Sequence, residues 1–314
     1  FFRFYNSVWL ILNDVIVGLA FGVFLRDNHQ ALAKMLATVF TDVLLSPFPQ
    51  ALLWLDQWPA GLKLNGPLSR FCCMLFIRII KSWSRLMIQV TPLMPAATYL
   101  IGSAGFCGLT MILSLFSDLL DILTLHIYIC YALATTIFHA QVRTAVSLWN
   151  LFRGKRFNVL RNRVDSWVYE VDQLLLGTML FTLLAFLFPT VLAYYAVFMA
   201  ARLLVIFLHA INDTFLAAMN HFPLFALMLR LKDPWRLPGM REHVIPTMFR
   251  SKDILLSKPT SYSTIFHQYG YLWSQLSGHY HPRRIAQQLL TGRYIRPIPT
   301  HSIRYGAFTP ERDT

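Results

Sequence analysis

Between Leu86 and Val142 the chain carries no Lys, Arg or Glu, and its carboxylates there are Asp118 and Asp121 alone; between Gln173 and Leu229 the formal charges are Arg202 and Asp213. A helix of about 20 apolar residues crosses a hydrocarbon core, because only an internally hydrogen-bonded backbone is tolerated without water. Both stretches exceed that length. Only 14% of the chain is charged, against roughly 25% in soluble domains, so a soluble fold is excluded. The class expected is an all-α, polytopic transmembrane protein with about five to seven membrane helices, some kinked or interfacial, and a basic cytosolic C-terminal tail. Residues 1–232 read as the membrane domain and 233–314 as the proline-rich tail.

Tyr5 to Leu25 is the first span, and its Asp14 is expected to face protein rather than lipid. Ala31 to Leu55 is broken by Pro47 and Pro49, which fits a kinked span or a re-entrant pair. After the turn-rich Trp58 to Asn65, residues 71–90 place Arg78, Lys81 and Arg85 at i, i+3 and i+7. One basic face on an apolar helix suits the headgroup layer, although a packing helix outside the membrane has the same pattern. Met94 to Ser117 and Leu119 to Gln141 read as two spans turning at Ser117 and Asp118, and Gln173 to Leu192 and Tyr195 to Leu216 as two more. Gly102, Gly105 and Gly108 follow no strand, so close helix packing explains them better than a dinucleotide loop. In the tail, Ser263 to Leu276 and Arg283 to Leu290 read as short helices that dock on a partner or on the membrane domain.

Charge sets the orientation. Of 28 Lys and Arg, against 15 Asp and Glu, six lie from Arg143 to Arg163 and thirteen from Arg230 to Arg312. Basic segments flanking spans stay on the cytosolic side, which assigns loop 143–172 and the tail to the cytosol and an even number of spans to the interval between 71–90 and that loop. Nucleic-acid binding is the rival reading of the +13 net charge, but such a domain would not also carry several spans. Cys72, Cys73, Cys107 and Cys130 all sit in apolar stretches, where thiols pack as small hydrophobes. Palmitate on Cys72 and Cys73 is the alternative. The sequence opens on Phe1, and no secretory signal pattern is read there, as expected of a piece of a longer protein.

No catalytic, metal or cofactor site is assigned. Three glutamates, Glu170, Glu242 and Glu311, supply no spaced pair for glycosyl transfer. Glu170 and Asp172 precede a span, where acids favour a helix N-terminus. Asp118, Asp121 and His126 share a broad helical sector, a metal or proton site in one reading and solvated turn residues in the other. His209 and Asp213 read as a self-neutralising pair, and His279 and His281 lack further ligands at zinc spacing. The run Leu151 to Arg163 keeps three readings. Arg153, Lys155, Arg156, Arg161 and Arg163 act as a topology signal, bind an inositol phospholipid headgroup, or pair with acids of a partner protein. Buried acids and broken helices leave a lipid transporter or scramblase open as the alternative, and a stand-alone membrane transferase behind it.

LFRGKRFNVLRNRVDS (Leu151 to Ser166), DQLLLGTMLFTLLAFLFPT (Asp172 to Thr190), WPAGLKLN (Trp58 to Asn65), SDLLDILTLHIY (Ser117 to Tyr128) and NHFPLFALMLRLKDPWRLPG (Asn220 to Gly239) carry a resemblance. Over roughly Tyr5 to Gly239 the chain closely resembles the subunit Q family of the phosphatidylinositol N-acetylglucosaminyltransferase complex. The resemblance implies a multi-pass endoplasmic-reticulum subunit of the first step of glycosylphosphatidylinositol-anchor synthesis, transfer of N-acetylglucosamine from its UDP donor to phosphatidylinositol. It implies a non-catalytic, assembling role beside the catalytic glycosyltransferase (the complex's A component), its C, H, P and Y components and a regulatory component of dolichol-phosphate-mannose synthase. It carries over no catalytic residue.

Overall fold

The structure is a computed structural model that describes residues 2–57, 61, 63–158 and 163–220, with isolated positions after 220. The expected tail helices at 263–276 and 283–290 lie outside the described residues. The expected all-helical class is observed: α1 (Phe2–Asp27), α2 (His29–Val39), α3 (Pro47–Asp56), α4 (Gly66–Val90), α5 (Met94–Ser103), α6 (Leu109–Phe152) and α7 (Val171–Asn220), with one ribbon, β1 (Lys155–Asn158) and β2 (Arg163–Ser166), between the last two. Among the described residues four helical stretches are long and apolar enough to cross a membrane: Ser7–Asp27, His29–Asp56, α6 and α7.

The segment around Pro47 and Pro49 is a single helical run from His29 to Asp56. Phe40–Leu45 widens into a π-helical turn in which Ser46 N–H reaches back to Thr41 O (2.9 Å), and Pro47 then starts α3, where its missing N–H is harmless. Leu44 O in that turn is taken up from across the bundle by His126 Nε2 (3.1 Å).

Two expected chain reversals are absent. α6 continues unbroken through Ser117 and Asp118, and α7 through the expected turn between Leu192 and Tyr195, with Pro189 inside it. At 1.5 Å per residue the 44 residues of α6 and 50 of α7 reach about 66 and 75 Å, more than twice a bilayer core of about 30 Å. The polar groups that suggested breaks are satisfied sideways instead. The two helices are antiparallel throughout, bringing Leu113 to Asn212, Ser117 to His209, Tyr128 to Arg202, Phe138 to Tyr195 and Leu151 to Gly177.

The reversal falls at Gly108 (φ +119°), a backbone state that L side chains rarely adopt. Here α1 packs backbone to backbone on the α5–α6 corner. A Cβ at Gly22 would lie 2.5 Å from Gly102 O and one at Gly105 2.5 Å from Gly18 O. The glycines that suggested close packing are therefore that contact, with Gly18 and Gly22 one turn apart on the opposing helix. Asp14 faces protein as expected. Its carboxylate accepts from Thr110 N–H (3.0 Å) and Thr110 Oγ1 (2.7 Å), so α1 caps the N-terminus of α6, where a negative charge is favoured.

α4 runs along α6 in the opposite direction and closes the core. Its N-cap Asn65 accepts from Leu68 N–H (3.1 Å), while Asn65 N–H donates to Thr190 Oγ1 on α7 (2.9 Å). One turn on, Ser69 Oγ donates to Asp56 Oδ1 and Tyr194 OH donates to Ser69 O, both at 2.9 Å, tying α3, α4 and α7 together. Around this knot pack Leu52, Phe76, Ile80, Tyr131, Phe138, Tyr195 and Phe198. Asp14→Ala is expected to destabilise the protein by about 1–3 kcal/mol, because Thr110 loses both acceptors. Asp14→Asn, which keeps one, should lose less. Thermal unfolding of the full chain in detergent measures both; an unshifted midpoint for Asp14→Ala would remove the cap from the stabilising set.

Candidate lipid and partner interface

The basic run that closes the α6–α7 pair folds into an antiparallel ribbon, with Lys155 opposite Ser166 and Arg156 opposite Asp165. Alternation of side chains along paired strands places Arg156, Arg163, Asp165 and Trp167 toward one face and Lys155 toward the other. Gly154 (φ +63°) makes the entry turn, and its carbonyl accepts from Trp167 N–H (2.8 Å). Arg163 Nε lies 2.7 Å from Asp165 Oδ1, and the Arg156 guanidinium sits 5.0 Å from the centroid of the Trp167 ring. Tyr169 OH donates to Lys155 O (3.3 Å). Because the pairs are solvent-facing, each contributes about 1 kcal/mol or less. They orient the cations without neutralising the surface.

Arg153, Lys155, Arg156 and Arg163 are all exposed, three of them on the ribbon and Arg153 at the C-cap of α6 just before it. Arg161 lies outside the described residues. Sequence reading missed the aromatic and acidic partners Trp167, Tyr169 and Asp165. The signal for them is the alternation KRFN and RVDS on either side of four residues, the pattern of a short hairpin.

The second expected basic face is also formed. Arg78, Lys81 and Arg85 are exposed on α4, joined on that face by exposed Phe71, Met74 and Ile88, while Cys72, Cys73, Phe76, Ile80 and Met87 are buried on the other. Alternating cations and large apolar groups match a surface between water and hydrocarbon. Cys72 and Cys73, 4% and 3% exposed, belong to the core rather than to a surface that accepts palmitate. Burial pushes both thiols above their ordinary range, with the Asp56 carboxylate adding to the effect at Cys73.

Other candidate constellations resolve into structure. His209 meets Asp121 (3.2 Å) and Ser117 Oγ (3.2 Å) across the helix pair, so its contact is with α6 rather than with Asp213 as expected. This Ser, His and Asp alignment lies within helices whose backbone N–H groups are already used, leaving no donor pair for an oxyanion. His126 is enclosed by Phe40, Phe48 and Trp83, away from Asp118 and Asp121. Among the described residues no three His, Cys, Asp or Glu side chains gather as a metal site. Glu170 and Asp172 stand at the start of α7, where Glu170 O accepts from Leu174 N–H (3.1 Å).

A family model described as N-acetylglucosaminyl transferase component (Gpi1) matches residues 1–239. The chain belongs to the Gpi1 family. It is 35% identical, over 99% of its length, to the N-acetylglucosaminyl-phosphatidylinositol biosynthetic protein gpi1 of Schizosaccharomyces pombe, covering 50% of that protein. It is 36% identical over 93% of its length to the phosphatidylinositol N-acetylglucosaminyltransferase subunit GPI1 of Saccharomyces cerevisiae, covering 49%. To subunit Q of the same transferase in Mus musculus it is 37% identical over 84% of its length, covering 46%. The chain thus spans about half the length of these relatives. No solved structure matches it. The matched interval takes in every described helix and the basic ribbon, in agreement with the resemblance drawn from Leu151 to Ser166.

Thiol chemistry tests the packing of α4. With their thiolates suppressed, Cys72 and Cys73 are expected to resist maleimide at pH 7 to 8 in the native protein and to react after unfolding. Rapid native modification, or a hydroxylamine-sensitive acyl group on either residue, would contradict it.

Proposed function

We propose that the chain is a membrane subunit of the complex that transfers N-acetylglucosamine from UDP-N-acetylglucosamine to phosphatidylinositol, opening glycosylphosphatidylinositol-anchor synthesis. Its role is to assemble and stabilise that complex, and the bond-making groups belong to a different protein of the assembly. The named functions of its relatives support the assignment to the complex. The observation that carries the positional role is the ribbon at the end of the α6–α7 pair, which with Arg153 at the C-cap of α6 presents four exposed cations on a scaffold of two membrane-length helices.

Such a surface has two uses at an anionic leaflet. Guanidinium and ammonium groups draw inositol-phospholipid headgroups, and the same groups pair with acids on a partner. Holding acceptor lipid and a catalytic partner at one bilayer face raises their effective concentration with no chemistry by this chain. In this reading the membrane is that of the endoplasmic reticulum, and the ribbon, the basic face of α4 and the tail meet the cytosol. The companions are the catalytic A component, the C, H, P and Y components and the regulatory component of dolichol-phosphate-mannose synthase. A transporter draws less support, because Asp14 caps α6 and Asp121 meets His209.

Three measurements bear on this. Tagged full-length protein extracted in mild detergent is expected to carry a glycosyltransferase activity that the isolated chain lacks. Turnover by the purified chain alone, with UDP-N-acetylglucosamine and phosphatidylinositol, would sink the non-catalytic reading. Charge reversal at Arg153, Lys155 and Arg156 together should lower transferase activity or complex recovery, and unchanged values would leave the ribbon a topology signal only. A glycosylation acceptor introduced at Gly154 should stay unmodified in cells; efficient glycan addition would reverse the orientation.

A further inference from the structure

At the corner of α1, α2, α5, α6 and α7 is a cavity of about 490 Å³ lined by thirteen residues, among them Leu25, Leu32, Leu36 and Leu113, and of these only Thr98 and Asn212 are polar. Its floor is closed, with Ile112 and Thr98 2% and 4% exposed. Its rim is open, since Phe21, Met35, Val39 and Phe116 are each more than 40% exposed. Both are partly engaged: Thr98 Oγ1 donates its proton to Met94 O (2.9 Å), and one N–H of the Asn212 amide donates to Leu113 O (3.2 Å). Water needs two to four polar partners and finds few here, so the site favours hydrocarbon. The volume falls within the range of about 300–1,000 Å³ that encloses small organic ligands.

Four of the five walls belong to helical stretches long and apolar enough to cross a bilayer, and the exposed apolar side chains of the rim suit contact with hydrocarbon. Between lining residues Leu25 and Leu32 the chain passes through Arg26, Asp27, Asn28 and His29, a polar joint between two apolar helices. Arg26 is exposed there. Arg26 directly follows lining residue Leu25 in the chain, and an apolar cavity with an exposed guanidinium one residue on complements one kind of membrane molecule, an acyl chain joined to an anionic phosphoryl head.

We propose that this cavity binds one acyl chain of a membrane glycerophospholipid, with the phosphate beside Arg26. The bound chain completes the contact of α1 and α2 with α5 and α6. The inference is independent of the role of the basic ribbon, which lies at the opposite end of α6.

A phosphatidylcholine or phosphatidylinositol analogue with a diazirine in its acyl chain, photolysed in membranes containing the full-length protein, tests it. Adducts are expected to concentrate on Leu32, Leu36, Ile101 and Leu113 rather than on lipid-facing Leu175, Leu183 and Phe186 of α7. Met35→Trp fills the cavity from an exposed position that a folded chain tolerates, and should cut labelling of the lining about tenfold while leaving α7 labelling unchanged. Arg26→Gln should reduce lining adducts from both analogues. Labelling that follows exposure alone, or lining adducts that persist in a folded Met35→Trp protein, would overturn the proposal. Preference for phosphatidylinositol would identify the occupant's head, and equal labelling would identify a general phospholipid site; both uphold the chain site.

Discussion

Along the seam of α6 and α7, polar side chains set in apolar helices meet one another where water is scarce. Asn212 donates to Leu113 O, Ser117 and Asp121 flank His209, and Arg202 lies 4.9 Å from the centroid of the Tyr128 ring. Unpaired, each would be penalised in hydrocarbon, so the antiparallel register that pairs them is favoured over the others. The rest of the bundle is placed against this register. Phe138 on Tyr195 and Phe76 on Phe198, each with ring centroids 4.4 Å apart, fill the middle, and the Ser69 and Tyr194 knot fixes α4 and α3 on the same seam.

At one end of the seam a glycine corner lets α1 approach within backbone contact and cap α6 through Asp14. At the other end the pair closes through a short ribbon rather than an extended loop. That closure matters for the proposed role. A flexible loop would carry the same charge, but the ribbon fixes which cations share a face, and Trp167 and Asp165 hold Arg156 and Arg163 on the same side of it.

Much of the fold was legible in the residues. Near-absence of charge over two long stretches required helices in a membrane, Asp14 required a protein partner, and the spacing of Gly102, Gly105 and Gly108 required a close neighbour. The basic faces were equally legible, since charges at i, i+3 and i+7 must lie on one side of a helix. The turns expected at Ser117 and Asp118 and between Leu192 and Tyr195 are absent because local turn-forming residues such as Ser117 and Asp118 are outweighed by contacts from residues about 90 positions away, such as Ser117 to His209. His209 was matched to Asp213 for the same reason: i, i+4 spacing is visible in a sequence and an interhelical partner is not.

Composition by itself determined the solvent this chain folds in and therefore its class, because an apolar backbone of this length has no other way to satisfy its hydrogen bonds. It also located the basic segments, since charge is a property of residues. Tertiary structure alone decided where the chain turns, which carboxylate meets which partner, that Cys72 and Cys73 are core residues, and that five helices leave an apolar cavity between them. Those outcomes depend on packing between segments far apart in the chain, and no local pattern encodes the distance across a helix interface.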